Sequence, residues 1–184
     1  FTTALPGYCS LARFNLEDKM KDGFEIERKF LIEYPDISVI GSLDGVRITH
    51  LEQCYLEGGG RVRKITENGK THFIKTVKKH ITDIKREEKE WEISEEEYLD
   101  GVKGLARGTS VIAKTRYIIP CGGLFLEVDV FPFWQDRAFL EIELSDEKQE
   151  IVIPDFLNVI KEVTSDKRYR NSSLAREIFT EALN

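Results

Sequence analysis

Apolar and charged side chains trade places at every second position along much of this chain. In "LFLEVDVF", Leu126, Val128 and Val130 alternate with Glu127 and Asp129; in "FLEIEL", Leu140, Ile142 and Leu144 alternate with Glu141 and Glu143. Successive side chains of a strand point to opposite faces, so a period of two predicts half-buried strands. The intervening turns suit antiparallel pairing. "GGG" at 58–60 separates "QCYLE" from "RVRKI", "ENGK" at 67–70 carries the Asn-Gly of type I′ hairpins, and "PCGG" at 120–123 divides "KTRYII" from "LFLEVDVF". The pattern is that of an all-β barrel or sandwich with a few added helices. Three helices are expected. "SEEEYLDGVKGL" begins at a capping box of Ser94 and Glu97, and "PDFLNVIKEV" (154–163) and "SSLAREIFTEAL" (172–183) space their apolar residues helically.

The charged positions are not scattered. Strand alternation groups Glu25 and Glu27 with Lys29, Arg61 with Arg63, and Glu88 with Glu90 and Glu92. It likewise groups Lys114 with Arg116, Glu127 with Asp129, and Glu141 with Glu143. Two carboxylates two residues apart on a strand lie about 7 Å from each other and repel by about 2.4 kcal/mol at an effective dielectric of 20. Such faces are either washed by water or matched by cations. Two readings follow: an open sheet with one wet face, or a barrel whose charged interior holds a polyanion and its metal ions.

Composition narrows the partner. With 27 Lys and Arg against 33 Asp and Glu, the 184-residue chain carries a net charge of −6, which argues against a general affinity for nucleic acid or an anionic membrane. Any anion site must be local. Cys9, Cys54 and Cys121 form no CxxC pair, and His50, His72 and His80 lack zinc-ligand spacing, so a reduced cytoplasmic protein is expected. There is no run of 18 apolar residues, no nucleophile elbow and no Walker loop, since "GGGR" lacks the phosphate-loop lysine. Met20, the only methionine, stands just ahead of the first patterned strand. Residues 1–19 are therefore expected to be an artificial remnant or upstream read-through, and residues 20–184 one domain.

"EIERKFL" resembles the Glu-x-Glu-x-Lys signature of the CYTH domains, the triphosphate tunnel metalloenzymes. The resemblance continues in family order through "QCYL", "RVR", "FIK", "EKEWEI", "AKTRY", "LFLEVDVF", "FLEIEL" and "VTSDKRYRNSSLA", covering roughly Phe24 to Ala175. It implies an eight-stranded antiparallel closed barrel, mainly β with flanking helices, whose charged faces line an internal tunnel. Glu25, Glu27, Glu141 and Glu143 match the family's divalent-metal carboxylates, with Glu127 and Asp129 as additional ligands or supporting acids. Hard oxygen donors suit Mg2+ or Mn2+. Lys29, Arg61, Arg63, Lys75, Lys114, Arg116 and Arg168 match the phosphate-gripping bases, with Lys167 a rival to Arg168. Tyr55 matches a tyrosine that partners the signature lysine, Lys29, in activating water, which implies an alkaline optimum.

The activity implied is metal-dependent hydrolysis of a triphosphate. The compact bacterial-type motifs "QCYL" and "DKRYRNSSLA" resemble the inorganic tripolyphosphatase branch, giving pyrophosphate and phosphate as products. Class IV adenylate cyclase and thiamine or nucleoside triphosphatase are alternatives on the same scaffold. A polyphosphate-binding module without turnover is the alternative of another class. The partner in each case is a small-molecule triphosphate or polyphosphate; nothing in the sequence fixes an oligomeric state.

Overall fold

The structure, a computed structural model, describes residues 20–183, with side chains from Gly23 onward. Residues 1–19, and the expectation that they are a remnant, lie outside the described residues.

The strands are β1 (Met20–Glu33), β2 (Arg47–Tyr55), β3 (Arg61–Glu67), β4 (Lys70–His80), β5 (Lys85–Glu92), β6 (Ile112–Cys121), β7 (Leu124–Val130), β8 (Arg137–Leu144) and β9 (Val159–Glu162). The helices are α1 (Ile37–Gly41), α2 (Glu95–Lys103) and α3 (Asn171–Leu174). The sheet order β5-β4-β3-β2-β6-β7-β8-β1 closes through a β5–β1 pairing, so eight antiparallel strands form a barrel and β9 is a ninth, appended strand. The length of β1 makes this closure possible. Its Met20–Ile26 half pairs with β5, its Ile26–Glu33 half pairs with β8, and Phe30–Ile32 also take β9.

The expected hairpins form where the turn residues permit them. Asn68 and Gly69 both have positive φ, 49° and 75°, and join β3 to β4 as an Asn-Gly turn requires. The expected capping box is present at α2, where Ser94 and Glu97 exchange bonds. Close packing of α2 on β3 depends on Gly101, at which a Cβ would meet Val62 Cγ2 at 2.7 Å.

Two expected helices are corrected. In 154–163 the backbone turns at Pro154–Leu157 and then runs as β9, because Leu157 is drawn into the apolar cluster outside the barrel while Val159–Glu162 complete an edge of β1. In 172–183 helix persists only through Leu174. Beyond it, tertiary contacts win: Phe179 packs edge-on against Tyr169, and Thr180 accepts a bond from Trp134 Nε1.

Apolar burial occurs in three places. The outer faces of β1, β6, β7 and β8 are covered by α1 and residues 151–157, around Leu140, Ile142 and Val128. The outer faces of β2 and β3 are covered by α2, around Cys54, Val62 and Tyr98. The third cluster, with Leu31, Ile112 and Phe139 on inward positions and Phe131, Trp134 and Tyr169 beside them, fills one part of the interior as a plug. The rest of the interior is charged. No helix among the described residues is long and apolar enough to cross a membrane.

Candidate active site

Cross-strand register determines which side chains meet, because directly opposed residues share a face. Lys29 faces Glu141, Glu27 faces Glu143, Glu127 faces Glu141, and Tyr55 faces Arg61. These positions, with Arg63, Lys114, Arg116 and Glu25, border a cavity of about 620 Å³ inside the barrel. The doubled charges of the sequence are thus the inner face.

One wall is a dense ion-pair network. Arg116 donates to both oxygens of Asp129 at 2.7 Å and to Glu141 Oε2 at 2.5 Å, and also reaches Glu127. Lys114 bonds Asp129 as well. Asp129 is fully buried with both oxygens engaged, so it holds these two bases in place rather than facing the cavity. Lys29 Nζ lies 2.7 Å from Glu141 and 3.8 Å from the centre of the Phe139 ring, which fixes it between a carboxylate and an aromatic face.

On the facing wall Lys78 bridges Glu25 at 2.6 Å and Glu88 at 2.7 Å, and Arg86 lies 3.8 Å from Glu25 and 3.6 Å from Glu27. Arg63 pairs with Glu90, which also accepts from Thr76 Oγ1 at 2.9 Å. Glu92 stands off this wall, 3.4 Å from His72.

Crowding of like charges leaves a signature on the acids. Burial, then Glu141 and Glu25, push the Glu27 carboxyl from 4.5 up to about 7. Burial, against Arg116, also raises Glu127. Glu141 behaves oppositely: burial pushes it up, but Lys29, Lys114 and Arg116 outweigh that and hold it well below the usual carboxylate range. Burial lowers Lys114 to about 8, with Arg116 adding to the effect. Tyr55 is raised by burial, opposed by Arg61, and its hydroxyl accepts from Gln53 Nε2 at 3.2 Å.

Among the described residues no three metal-binding side chains stand close enough to enclose an ion as they are. The donor set nevertheless fits a hard divalent cation. Two pairs of glutamates, Glu27 with Glu143 and Glu127 with Glu141, face each other directly across strands, and burial together with Glu141 and Glu25 raises the Glu27 carboxyl to about 7.

Two sequence expectations are corrected. Lys75 is on the outer face, its Nζ 5.8 Å from the Trp91 ring; the residues of β4 that reach the cavity are Thr76, Lys78 and His80, one pleat out of phase with it. Arg168 is not brought to the cavity either: it is tied to Asp166 at 2.6 Å and lies over Phe179, while Lys167 is exposed. The base that does reach the cavity from this segment is Arg170. Sequence reading also missed Lys78 and Arg86. The period-two rule contained Arg86, which shares a face with Glu88 and Glu90.

Three comparisons place the chain among known proteins. The family model described as CYTH domain matches residues 23–169. Two solved structures of the protein NE1496, described respectively as a hypothetical protein and as an inorganic triphosphatase, are 28% identical; the alignment covers 84% of this chain and 99% of theirs, with TM-scores of 0.54 and 0.52. The PH1819 protein from Pyrococcus horikoshii OT3 shares the fold at 22% identity and a TM-score of 0.50, over 67% of this chain and 80% of its own. No match is found among curated proteins.

Proposed function

The chain belongs to the CYTH domain family, and on that premise we propose that it hydrolyses inorganic tripolyphosphate to pyrophosphate and phosphate with Mg2+ or Mn2+. The observation that carries the reading is the joining, in one cavity of about 620 Å³, of cationic walls with glutamates set face to face across strands, Glu27 with Glu143 and Glu127 with Glu141. Its support from relatives is NE1496, the 28% identical protein described as an inorganic triphosphatase. Among the described residues that line the cavity, Tyr55 and His80 are the only aromatic rings, which leaves little surface there for a nucleobase to stack on and favours an inorganic chain.

Arg61, Arg63, Lys114 and Arg116 grip the phosphoryl oxygens, with Lys78, Arg86 and Arg170 adding charge; a guanidinium fork matches two oxygens at once. Asp129 is a positioning residue that keeps Lys114 and Arg116 aimed. Glu25, Glu27, Glu141 and Glu143, with Glu127, would hold the divalent cation. When bound, that cation polarises phosphoryl oxygens as a Lewis acid. Water attacks the terminal phosphorus as the bond to the pyrophosphate oxygen breaks, and the water must lose a proton. Lys29 and Tyr55 orient that water, and its proton passes to Tyr55 in the phenolate form, which burial holds back until alkaline pH.

Phosphate release from tripolyphosphate, ATP and thiamine triphosphate, compared in parallel with Mg2+ or Mn2+, tests the substrate. The expected result is a kcat/KM for tripolyphosphate at least tenfold above the others. Cyclic AMP from ATP would make the protein a cyclase, and tight binding without release would make it a polyphosphate-binding module.

A further inference from the structure

Behind the cavity wall, Tyr55 meets Gln53. The two are separated by one residue on β2 and so share a face of the strand. Tyr55 borders the cavity; Gln53 does not, and it is fully buried. An amide sealed in this way must satisfy its hydrogen-bonding groups inside the protein. Half of that is achieved: Nε2 donates to the Tyr55 hydroxyl oxygen at 3.2 Å, while Oε1 is buried without a donor.

The orientation of the amide decides what Tyr55 can do. With Oε1 toward it, the phenol would donate to Gln53 and its proton would be tied up behind the wall. With Nε2 toward it, the phenolic oxygen receives a hydrogen bond and stays an acceptor. The neighbouring strand selects between the two. Arg63 of β3 stands opposite Gln53 in register, and its buried Nε likewise lacks an acceptor. A guanidinium favours the amide oxygen on its own side and disfavours the NH2 group there, which turns Nε2 to Tyr55. The charged groups acting on Tyr55 from the strands around it are Arg61 and Arg63 of β3, which favour loss of its proton, and Glu141 of β8, which with burial opposes that loss. The apolar plug, with Ile112 and Leu174, packs on Tyr55 as well.

We propose that Gln53 is the positioning residue of Tyr55, its buried amide donating to the phenolic oxygen so that this oxygen meets the attacking water as an acceptor. The role of the water rests on the function proposed above. A hydrogen bond donated to an anionic oxygen is stronger than one donated to a neutral phenol, so the amide favours the phenolate. The water's proton passes to that phenolate, and Gln53 keeps both of its own hydrogens throughout.

Two measurements on the full chain test this role. The first needs no substrate: the ultraviolet absorbance of tyrosinate is followed against pH in EDTA, and the difference from Tyr55→Phe isolates the Tyr55 transition. In Gln53→Met, which keeps the bulk and loses the donor, that transition should move up by about one pH unit. The second is phosphate release from tripolyphosphate with Mg2+ over the alkaline range. Gln53→Met should lower kcat about tenfold below its shifted transition, recover as the pH passes it, and leave KM within about twofold. Beside Tyr55→Phe it should cost nothing further. Should Gln53→Met fail to fold, Gln53→Glu carries the same expectations with a larger shift, since a carboxylate has no hydrogen to donate. A Tyr55 transition that does not move, or a kcat loss that persists beside Tyr55→Phe, overturns the positioning role. A shifted transition with no turnover of any triphosphate upholds Gln53 and sinks the hydrolase, whereas turnover by Gln53→Met at the wild-type kcat does the reverse.

Discussion

The two faces of β8 do different work. Its outward residues Ala138, Leu140, Ile142 and Leu144 are buried beneath α1 and the 151–157 segment, whereas its inward Glu141 and Glu143 border the cavity. In a small barrel the interior is usually where side chains pack to fill space. Here most of that task has moved outside, to apolar faces that helices and loops cover, and the interior is left to ion pairs. Cohesion and chemistry therefore occupy opposite sides of one backbone, two residues apart in sequence.

That division can be broken from either side. The largest effect is expected from Glu25→Gln, which removes an inward carboxylate bonded to Lys78 at 2.6 Å. Metal-dependent turnover should fall by more than two orders of magnitude, while circular dichroism shows the fold retained. Ile142→Ala attacks the other face. Ile142 is fully buried in the outer cluster, so its truncation should cost roughly 3 kcal/mol in urea unfolding, with the turnover of the folded fraction unchanged.

The third effect is a pH dependence. Glu27, raised from 4.5 to about 7, contributes stability that is complete below its unfolded pKa and is lost as the pH rises through about 7. Glu27→Gln carries no such loss. In EDTA the variant should gain on the wild type by roughly 3 kcal/mol over that window, and a gap that stays constant with pH would remove Glu27 as the responsible group. The smallest effect is expected at Lys75, outside the barrel. Lys75→Ala should leave KM within twofold and cost about 0.5 kcal/mol from its contact with Trp91.

Much of this arrangement was legible in the chain because strand alternation has a fixed period. The pairs Arg61 with Arg63, Lys114 with Arg116 and Glu141 with Glu143 fall on one face by that rule alone, and the register of the strands then brings them to one cavity. What alternation cannot supply is phase near a strand end. Lys75 and Lys78 both belong to β4, and only the pairing of Thr76 with Arg61 puts Lys78 inside and Lys75 out. The C-terminal segment was opaque for another reason. Phe156, Leu157, Ile160 and Val163 are spaced as in a helix, yet Leu157 is bound to the outer cluster and Val163 to the interior plug, and no single helix could serve both. Arg170 was hidden in the same way, since its direction depends on Tyr169 being anchored in the plug.

The charged interior is proposed to work as a metal-dependent hydrolytic site. The most direct measurement is phosphate release from tripolyphosphate by the full chain in Mg2+, interrupted by EDTA and restarted by excess Mg2+. Release should stop on chelation and resume on restoration; release that continues unchanged in EDTA, or none under any of the three conditions, would rule out a metal-dependent site.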